Sequence, residues 1–268
     1  MYRLLALDID GTIRSIERPV SDRTRRAIGS VVDAGVTVTL ATGRMFASAR
    51  KASSELGLTT PIVCFQGARV VDPVSGAVLW HRPLTRDMAG AALDALDSWD
   101  VEVVAYHGDE IHVTEMTPWV EAYVGRNRVP FSLVDGRKAL AVDGQTRLLA
   151  VGDEDEVQRL EAHMRAAFDS TLYVTRSLPH FCEILHPDCG KDKALSWLCD
   201  YLGLDAGDTV AFGNGYNDVQ MVAWAGLGVA VGDAVPEVLE VADLVAPPFE
   251  EDGAARVLEQ LLEEGRFG

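Results

Sequence analysis

Three short stretches of the chain gather residue types that can act on a phosphate. In Asp8-Ile9-Asp10-Gly11-Thr12, two carboxylates stand two apart after an apolar run. Side chains two apart at a strand end project to one side, and Gly11 lets the backbone turn sharply after them. Close like charges are costly unless a cation shares them or one carboxyl keeps its proton. The first arrangement supplies hard oxygen ligands for Mg²⁺. The second sets an ionised nucleophile beside an acid of raised pKa. Ala41-Thr42-Gly43-Arg44 offers a hydroxyl, a glycine and a guanidinium where a strand hands over to a helix N-terminus, a place that favours an anion. Gly213-Asn214-Gly215-Tyr216-Asn217-Asp218 adds oxygen ligands in a tight turn, and Gly190-Lys191 places a cation just before a helix. Phosphoryl transfer needs a nucleophile, a cation bridging it to the phosphate, and donors for the remaining oxygens. Asp8, Mg²⁺, Thr42 and Lys191 would fill those roles.

These residues must be held by strands. Leu4 to Ile9 reads as a buried strand, Ser21 to Ala34 as a helix capped by Ser21 and stopped by Gly35, and Val36 to Ala41 as a second strand. A helix over Met45 to Leu56 and a strand over Ile62 to Phe65 follow. The rhythm returns with a helix over Lys193 to Leu202, a strand over Thr209 to Phe212, a helix over Asp218 to Ala225, strands at Leu227 to Val231 and Leu244-Val245, and a last helix over Ala254 to Leu262. Such alternation predicts an α/β fold, a Rossmann-like parallel sheet with helices on both faces. Ligands of such sheets bind at the carboxyl ends of the strands, where the polar stretches fall.

The middle of the chain differs. Longer helices (Arg86 to Trp99, Glu154 to Ala167) are mixed with strands at Glu102 to Tyr106, Ile111 to Thr114, Arg147 to Val151, Leu172 to Thr175 and Phe181 to Leu185. Strict alternation is lost, which predicts an α+β cap domain at 82–185 inserted into an α/β core domain of 1–81 and 186–268.

Composition narrows the function classes. The 268 residues carry 24 Lys+Arg against 41 Asp+Glu, a net charge of -17. Such a surface repels phosphate backbones and anionic headgroups, so neither nucleic acid nor membrane is expected as a partner. The four cysteines form no CxxC pair or zinc spacing and read as free thiols in a reducing cytoplasm. No signal peptide or membrane-spanning run is visible, and a cytoplasmic monomer or homodimer is expected.

The order DxDGT, Thr, Lys, then Gly213-Asn214-Gly215-Tyr216-Asn217-Asp218 resembles the haloacid dehalogenase superfamily of phosphohydrolases. Ala41-Thr42-Gly43-Arg44, Gly190-Lys191 with Ala194-Leu195, and Met221 after the last motif look most like its Cof-like, type IIB branch, which carries a large α/β cap between the second and third motifs. The resemblance is specific over 1–81 and 186–268. It implies that Asp8 forms an aspartyl-phosphate and that Asp10 is the general acid, then base. It implies Mg²⁺ on the Asp8 side chain, the Asp10 backbone carbonyl and position 214, with Asp218 behind them or reaching the metal through water. Thr42 and Lys191 would hold phosphate oxygens, and Gly43, Arg44 and Asn217 would face a small phosphorylated metabolite.

Two departures stand out. Asn214 occupies the position of the family's metal-binding Asp, and an amide oxygen ligates Mg²⁺ without contributing charge. Weaker metal binding is expected, unless Asp218 takes over as a direct ligand. Gln66 stands where Asn is usual, and its longer amide is expected to reach into the site and narrow substrate choice. The alternatives are a sugar-phosphate mutase of the same group and, because of Asn214, a weakly active phosphoryl-ligand-binding protein. A receiver-like switch is about half this length and has no cap. A dinucleotide fold is disfavoured by Asp218 at the third glycine position of a GxGxxG.

Overall fold

The computed structural model describes residues 1–15, 17–127 and 129–268. The chain divides into two compact units, Met1–Trp80 with Gly190–Gly268, and His81–Cys189.

The elements of the first unit begin with β1 (Leu4–Leu7), α1 (Asp22–Asp33), β2 (Thr37–Leu40), α2 (Phe46–Glu55), β3 (Ile62–Cys64), β4 (Arg69–Val71) and β5 (Val78–His81). The second unit holds α3 (Arg86–Leu96), β6 (Glu102–His107), β7 (Glu110–Val113), α4 (Pro118–Asn127), β8 (Phe131–Leu133), β9 (Arg147–Val151), α5 (Glu154–Phe168), β10 (Tyr173–Leu178) and β11 (Phe181–Leu185). The first unit resumes with α6 (Lys191–Leu202), β12 (Thr209–Gly213), α7 (Val219–Trp224), β13 (Leu227–Ala230), α8 (Pro236–Val241), β14 (Leu244–Val245) and α9 (Gly253–Glu263).

The first unit is built on a five-stranded parallel sheet in the order β14-β13-β12-β1-β2. Its central strand, Leu-Leu-Ala-Leu, is buried along its whole length, as expected for a strand covered on both faces. Ala6 and Ala211 lie in one cluster with Ala194, Leu195 and Leu198 of α6 and Met221 of α7. By strand alternation Leu5 and Leu7 face the other way, the side on which α1 packs against α9. Pairing of Leu7 with both Leu40 and Phe212 sets the carboxyl ends of β2, β1 and β12 at one level. Asp8 continues the Ala6 face, the one covered by α6.

Three local expectations are corrected. Ile62 to Cys64 is not a strand of the parallel sheet. It heads an antiparallel sheet of β3, β4 and β5, joined to the parallel one by a bridge between Ala41 and Val63. The helix expected over Asp218 to Ala225 is preceded by a 3-10 turn, Tyr216–Asp218, and runs only from Val219 to Trp224. The helix expected from Lys193 starts at Lys191, so the lysine belongs to its first turn.

The second unit is a six-stranded sheet in the order β10-β11-β9-β6-β7-β8, antiparallel except for β7 with β8. Val103, Ala105, Leu148, Ala150, Cys182 and Ile184 form one core with Leu93 and Leu96 of α3 and Leu160 and Met164 of α5. Arg147 and Glu183 form a buried ion pair beside this core, with the Arg147 guanidinium 4.2 Å from the Tyr106 ring centre. Among the described residues no helix is long and apolar enough to cross a membrane.

Candidate active site

The candidate site lies wholly within the first unit, at the carboxyl end of its parallel sheet. Asp8 leaves β1 between its neighbours: its N–H donates to the Phe212 carbonyl at 3.0 Å, and the Ala41 N–H donates to the Leu7 carbonyl at 2.9 Å. Thr42, two residues past β2, and Asn214, the residue after β12, therefore lie at the same edge of the sheet. Gly11 closes the turn behind Asp8 at φ +83, and a Cβ there would fall 2.2 Å from the Asn214 amide nitrogen, so only glycine fits.

The Lys191 ammonium donates to Asp8 Oδ1 at 2.7 Å and to Asp218 Oδ1 at 2.6 Å, with all three side chains buried. A cation in the first turn of a helix opposes the helix dipole, so local propensity does not favour Lys191 there; the two carboxylates do. Burial pushes the Asp8 carboxyl up to about 7, and the Asp218 charge adds to it, against the lowering effect of Lys191. Burial works to lower the Lys191 pKa, but the Asp218 and Asp8 charges more than offset it and hold the ammonium above its usual range.

Asp218 is otherwise committed to its own loop, since its Oδ2 accepts from the backbone N–H groups of Asn214 at 3.0 Å and Gly215 at 2.9 Å. With Lys191 on Oδ1, about three of the four acceptor positions of a carboxylate are in use. Asp218 thus anchors both the lysine and the loop.

The Thr12 hydroxyl lies 3.2 Å from Asp8 Oδ2 and 3.1 Å from Asn214 Oδ1. One hydroxyl proton serves one acceptor, so the other oxygen keeps lone pairs for a further partner. Thr12 is the link that sequence reasoning did not assign, although its place directly after Gly11 in the motif was a signal. Asp8 and Asn214 are thus two hard oxygen donors converging on one point, beside a carboxylate whose charge a single ammonium does not fully compensate. That donor set fits Mg²⁺. It falls short of an all-acid shell: among the described residues no three His, Cys, Asp or Glu side chains group as a metal site.

The Asp10 side chain pairs with a different cation from the lysine on Asp8. It is half-exposed, and both its oxygens accept from Arg44, with Nε on Oδ2 at 2.7 Å and Nη2 on Oδ1. Burial works to lower the Arg44 pKa, and the Asp10 hydrogen bonds and charge raise it by more. Thr42 is buried, and its hydroxyl accepts the Arg44 N–H at 3.2 Å, turning the chain from β2 toward α2. Asn217 is also buried and donates from Nδ2 to Gln66 Oε1 at 2.8 Å, while the Gln66 amide lies against Gly43. The nine residues expected from sequence thus fall into three linked groups: Asp8, Lys191, Asp218 and Asn214; Asp10, Arg44 and Thr42; and Gly43 with Asn217, joined through Gln66.

The chain matches the haloacid dehalogenase-like hydrolase family over residues 5–258. It is 30% identical over 261 residues to the 5-amino-6-(5-phospho-D-ribitylamino)uracil phosphatase YitU of Bacillus subtilis, covering 96% of each chain. It is also 30% identical over 250 residues to the HMP-PP phosphatase of an Enterobacter species, covering 89% of this chain and 87% of that one. A subclass IIB sugar phosphatase of the superfamily shares the fold, with a TM-score of 0.83 at 21% identity over 97% of this chain and 98% of the other. With the strand-end aspartate, the buried lysine and the Asn214 loop in place, the chain belongs to the haloacid dehalogenase-like hydrolases.

Proposed function

We propose that the protein is a Mg²⁺-dependent phosphohydrolase that cleaves small phosphorylated metabolites, sugar phosphates or similar monoesters, through an aspartyl-phosphate on Asp8. The observation that carries this reading is Asp8, buried at the end of the central strand, with Lys191 on one oxygen and the Thr12 hydroxyl, shared with Asn214, at the other. The relatives support the substrate class, being phosphatases of a ribitylaminouracil phosphate and of HMP-PP.

In the first half-reaction an Asp8 oxygen bonds to phosphorus as the ester P–O bond breaks, and Asp10 gives its proton to the departing alkoxide. In the second, Asp10 takes a proton from water, the water oxygen bonds to phosphorus, and the Asp8–phosphorus bond breaks to release phosphate. Lys191 favours the ionised form of Asp8 against the effect of burial and orients it, and Asp218 keeps Lys191 in place. Thr42 accepts from Arg44 and retains its own O–H to donate to a phosphoryl oxygen. Asp10 can act as acid only when the Arg44 fork opens; a phosphate dianion, which takes the same bidentate donor, is the natural competitor for it. Asp8, Asn214 and the Asp10 carbonyl would hold Mg²⁺, which when bound would supply positive charge against the phosphoryl oxygens.

The test is p-nitrophenyl phosphate turnover with and without millimolar Mg²⁺ in wild type, Asp8→Asn and Asn214→Asp. Mg²⁺-dependent turnover that Asp8→Asn abolishes is expected, with a lower Mg²⁺ requirement in Asn214→Asp. Because Asn214 brings an uncharged ligand, a phosphoryl-binding protein of weak activity is the second reading. A silent wild type revived by Asn214→Asp selects it.

A further inference from the structure

Gln66 sits where two loops of the candidate site meet. It follows Phe65 in a tight turn after β3, and both residues hold positive φ, +52 and +56. Two successive non-glycine residues in this region are uncommon, and such strain persists where surrounding contacts fix it. Those contacts are visible. The Gln66 N–H donates to the Thr42 carbonyl at 3.1 Å, and the Phe65 N–H donates to the Arg44 carbonyl at 3.0 Å. The side chain is completely buried. Its Oε1 accepts from Asn217 Nδ2 at 2.8 Å, and its nitrogen end lies so close over Gly43 that a Cβ there would come within 2.3 Å of Nε2. One carboxamide therefore touches the middle of the Thr42–Arg44 loop and the residue next to Asp218, the carboxylate that holds Lys191.

We propose that Gln66 is a positioning residue: its carboxamide locks the Thr42-Gly43-Arg44 loop and Asn217 into the register that receives the oxygens of phosphate. The proposal rests on the phosphohydrolase reading for the identity of the ligand. The length of the side chain matters, because an asparagine is one methylene shorter, about 1.5 Å, and cannot touch Gly43 and Asn217 together from the same backbone. Without the lock, both loops keep their backbone bonds and the fold stands, but the donors are no longer set in advance and phosphate binds more weakly.

The experiment is calorimetric titration of inorganic phosphate in saturating Mg²⁺, with thermal unfolding measured in parallel. The proteins are wild type, Gln66→Met, Gln66→Asn, Asn217→Ala and the double variant Gln66→Met/Asn217→Ala. Each single variant is expected to weaken phosphate binding about tenfold, the effect of one hydrogen bond. The double variant is expected to weaken it no further, since both changes remove the same link. Unchanged phosphate binding in the Gln66 variants, whatever happens to their melting temperature, overturns the proposal by leaving Gln66 a purely structural role. Effects that multiply in the double variant overturn it as well. If Gln66→Met fails to fold, Gln66→Asn against Asn217→Ala gives the same reading. A wild type that binds phosphate but hydrolyses no ester sinks the hydrolase reading and leaves this test intact; one that binds no phosphate overturns both.

Discussion

Asp8 offers a prediction whose sign can be worked through. Its carboxyl is pushed up to about 7 from an ordinary 3.8, chiefly by burial and then by the Asp218 charge. A carboxyl whose folded pKa exceeds its unfolded value binds protons more tightly in the native state, so its ionisation destabilises the fold. The cost is absent below the unfolded value, grows as pH rises between the two, and is complete above about 7. Lys191, whose pKa is raised, stabilises throughout this window and changes nothing across it. Asp8→Asn cannot ionise, and other groups cancel in the comparison. From about pH 5 to about pH 8.5, roughly two units of the Asp8 interval are crossed, which corresponds to roughly 3 kcal/mol. Scanning calorimetry in chelator should therefore show the stability of Asp8→Asn rising relative to wild type by that amount, roughly 6–12 °C in Tm. Adding Mg²⁺ at the upper pH should stabilise wild type and close the gap. A difference that is flat with pH, or that shrinks as pH rises, refutes the account of Asp8 as a buried, incompletely compensated carboxylate.

Other outcomes follow from the same contacts. Lys191→Met leaves Asp8 and Asp218 buried without their cation; it should lower kcat by about 10²–10³-fold and destabilise the metal-free protein at about pH 8 by about 3–5 kcal/mol, read by turnover and urea unfolding. Arg147→Met removes the cation from the buried Arg147–Glu183 pair and should destabilise the second unit by a similar 3–5 kcal/mol, visible as an earlier urea transition. Cys64, Cys182, Cys189 and Cys199 are all buried, so a disulfide exchange reagent should find no fast thiol in the native protein and all four in denaturant.

The parallel core was legible because its strands are short, mostly apolar and flanked by glycine-bearing polar turns. Leu4–Leu7 and Thr209–Gly213 are buried from end to end, and such runs have few other places in a fold. The β4–β5 ribbon was not visible, since Arg69-Val70-Val71 is too short to show alternation and Val78–His81 carries mixed burial. Helix α4 was missed for a similar reason: its apolar residues Trp119, Val120, Tyr123 and Val124 come in adjacent pairs among polar and small ones and do not draw a clear stripe. Within the site, residue types at strand ends pointed to Asp8, Thr42, Lys191 and the Asn214 loop, because strand order brings those ends to one edge. Side-chain pairing was a different matter. Arg44 meets Asp10 across 34 residues, and Asn217 meets Gln66 across 151. Spacing left open whether Asp8 and Asp10 share a cation or one keeps its proton, and it could not show that Asp8 pairs with Lys191 and Asp10 with Arg44. The role of Thr12 also emerged only once β1 and β12 were seen side by side.

The central claim is a covalent bond between Asp8 and phosphorus during turnover. Acid quenching of wild type while it hydrolyses a phosphomonoester in Mg²⁺, followed by peptide mass spectrometry, reads it directly. The account predicts one phosphoryl group on the peptide carrying Asp8, lost when the quenched protein is treated with hydroxylamine and absent in Asp8→Asn. Steady hydrolysis with no phosphoryl group on that peptide, or hydrolysis that persists in Asp8→Asn, would contradict it.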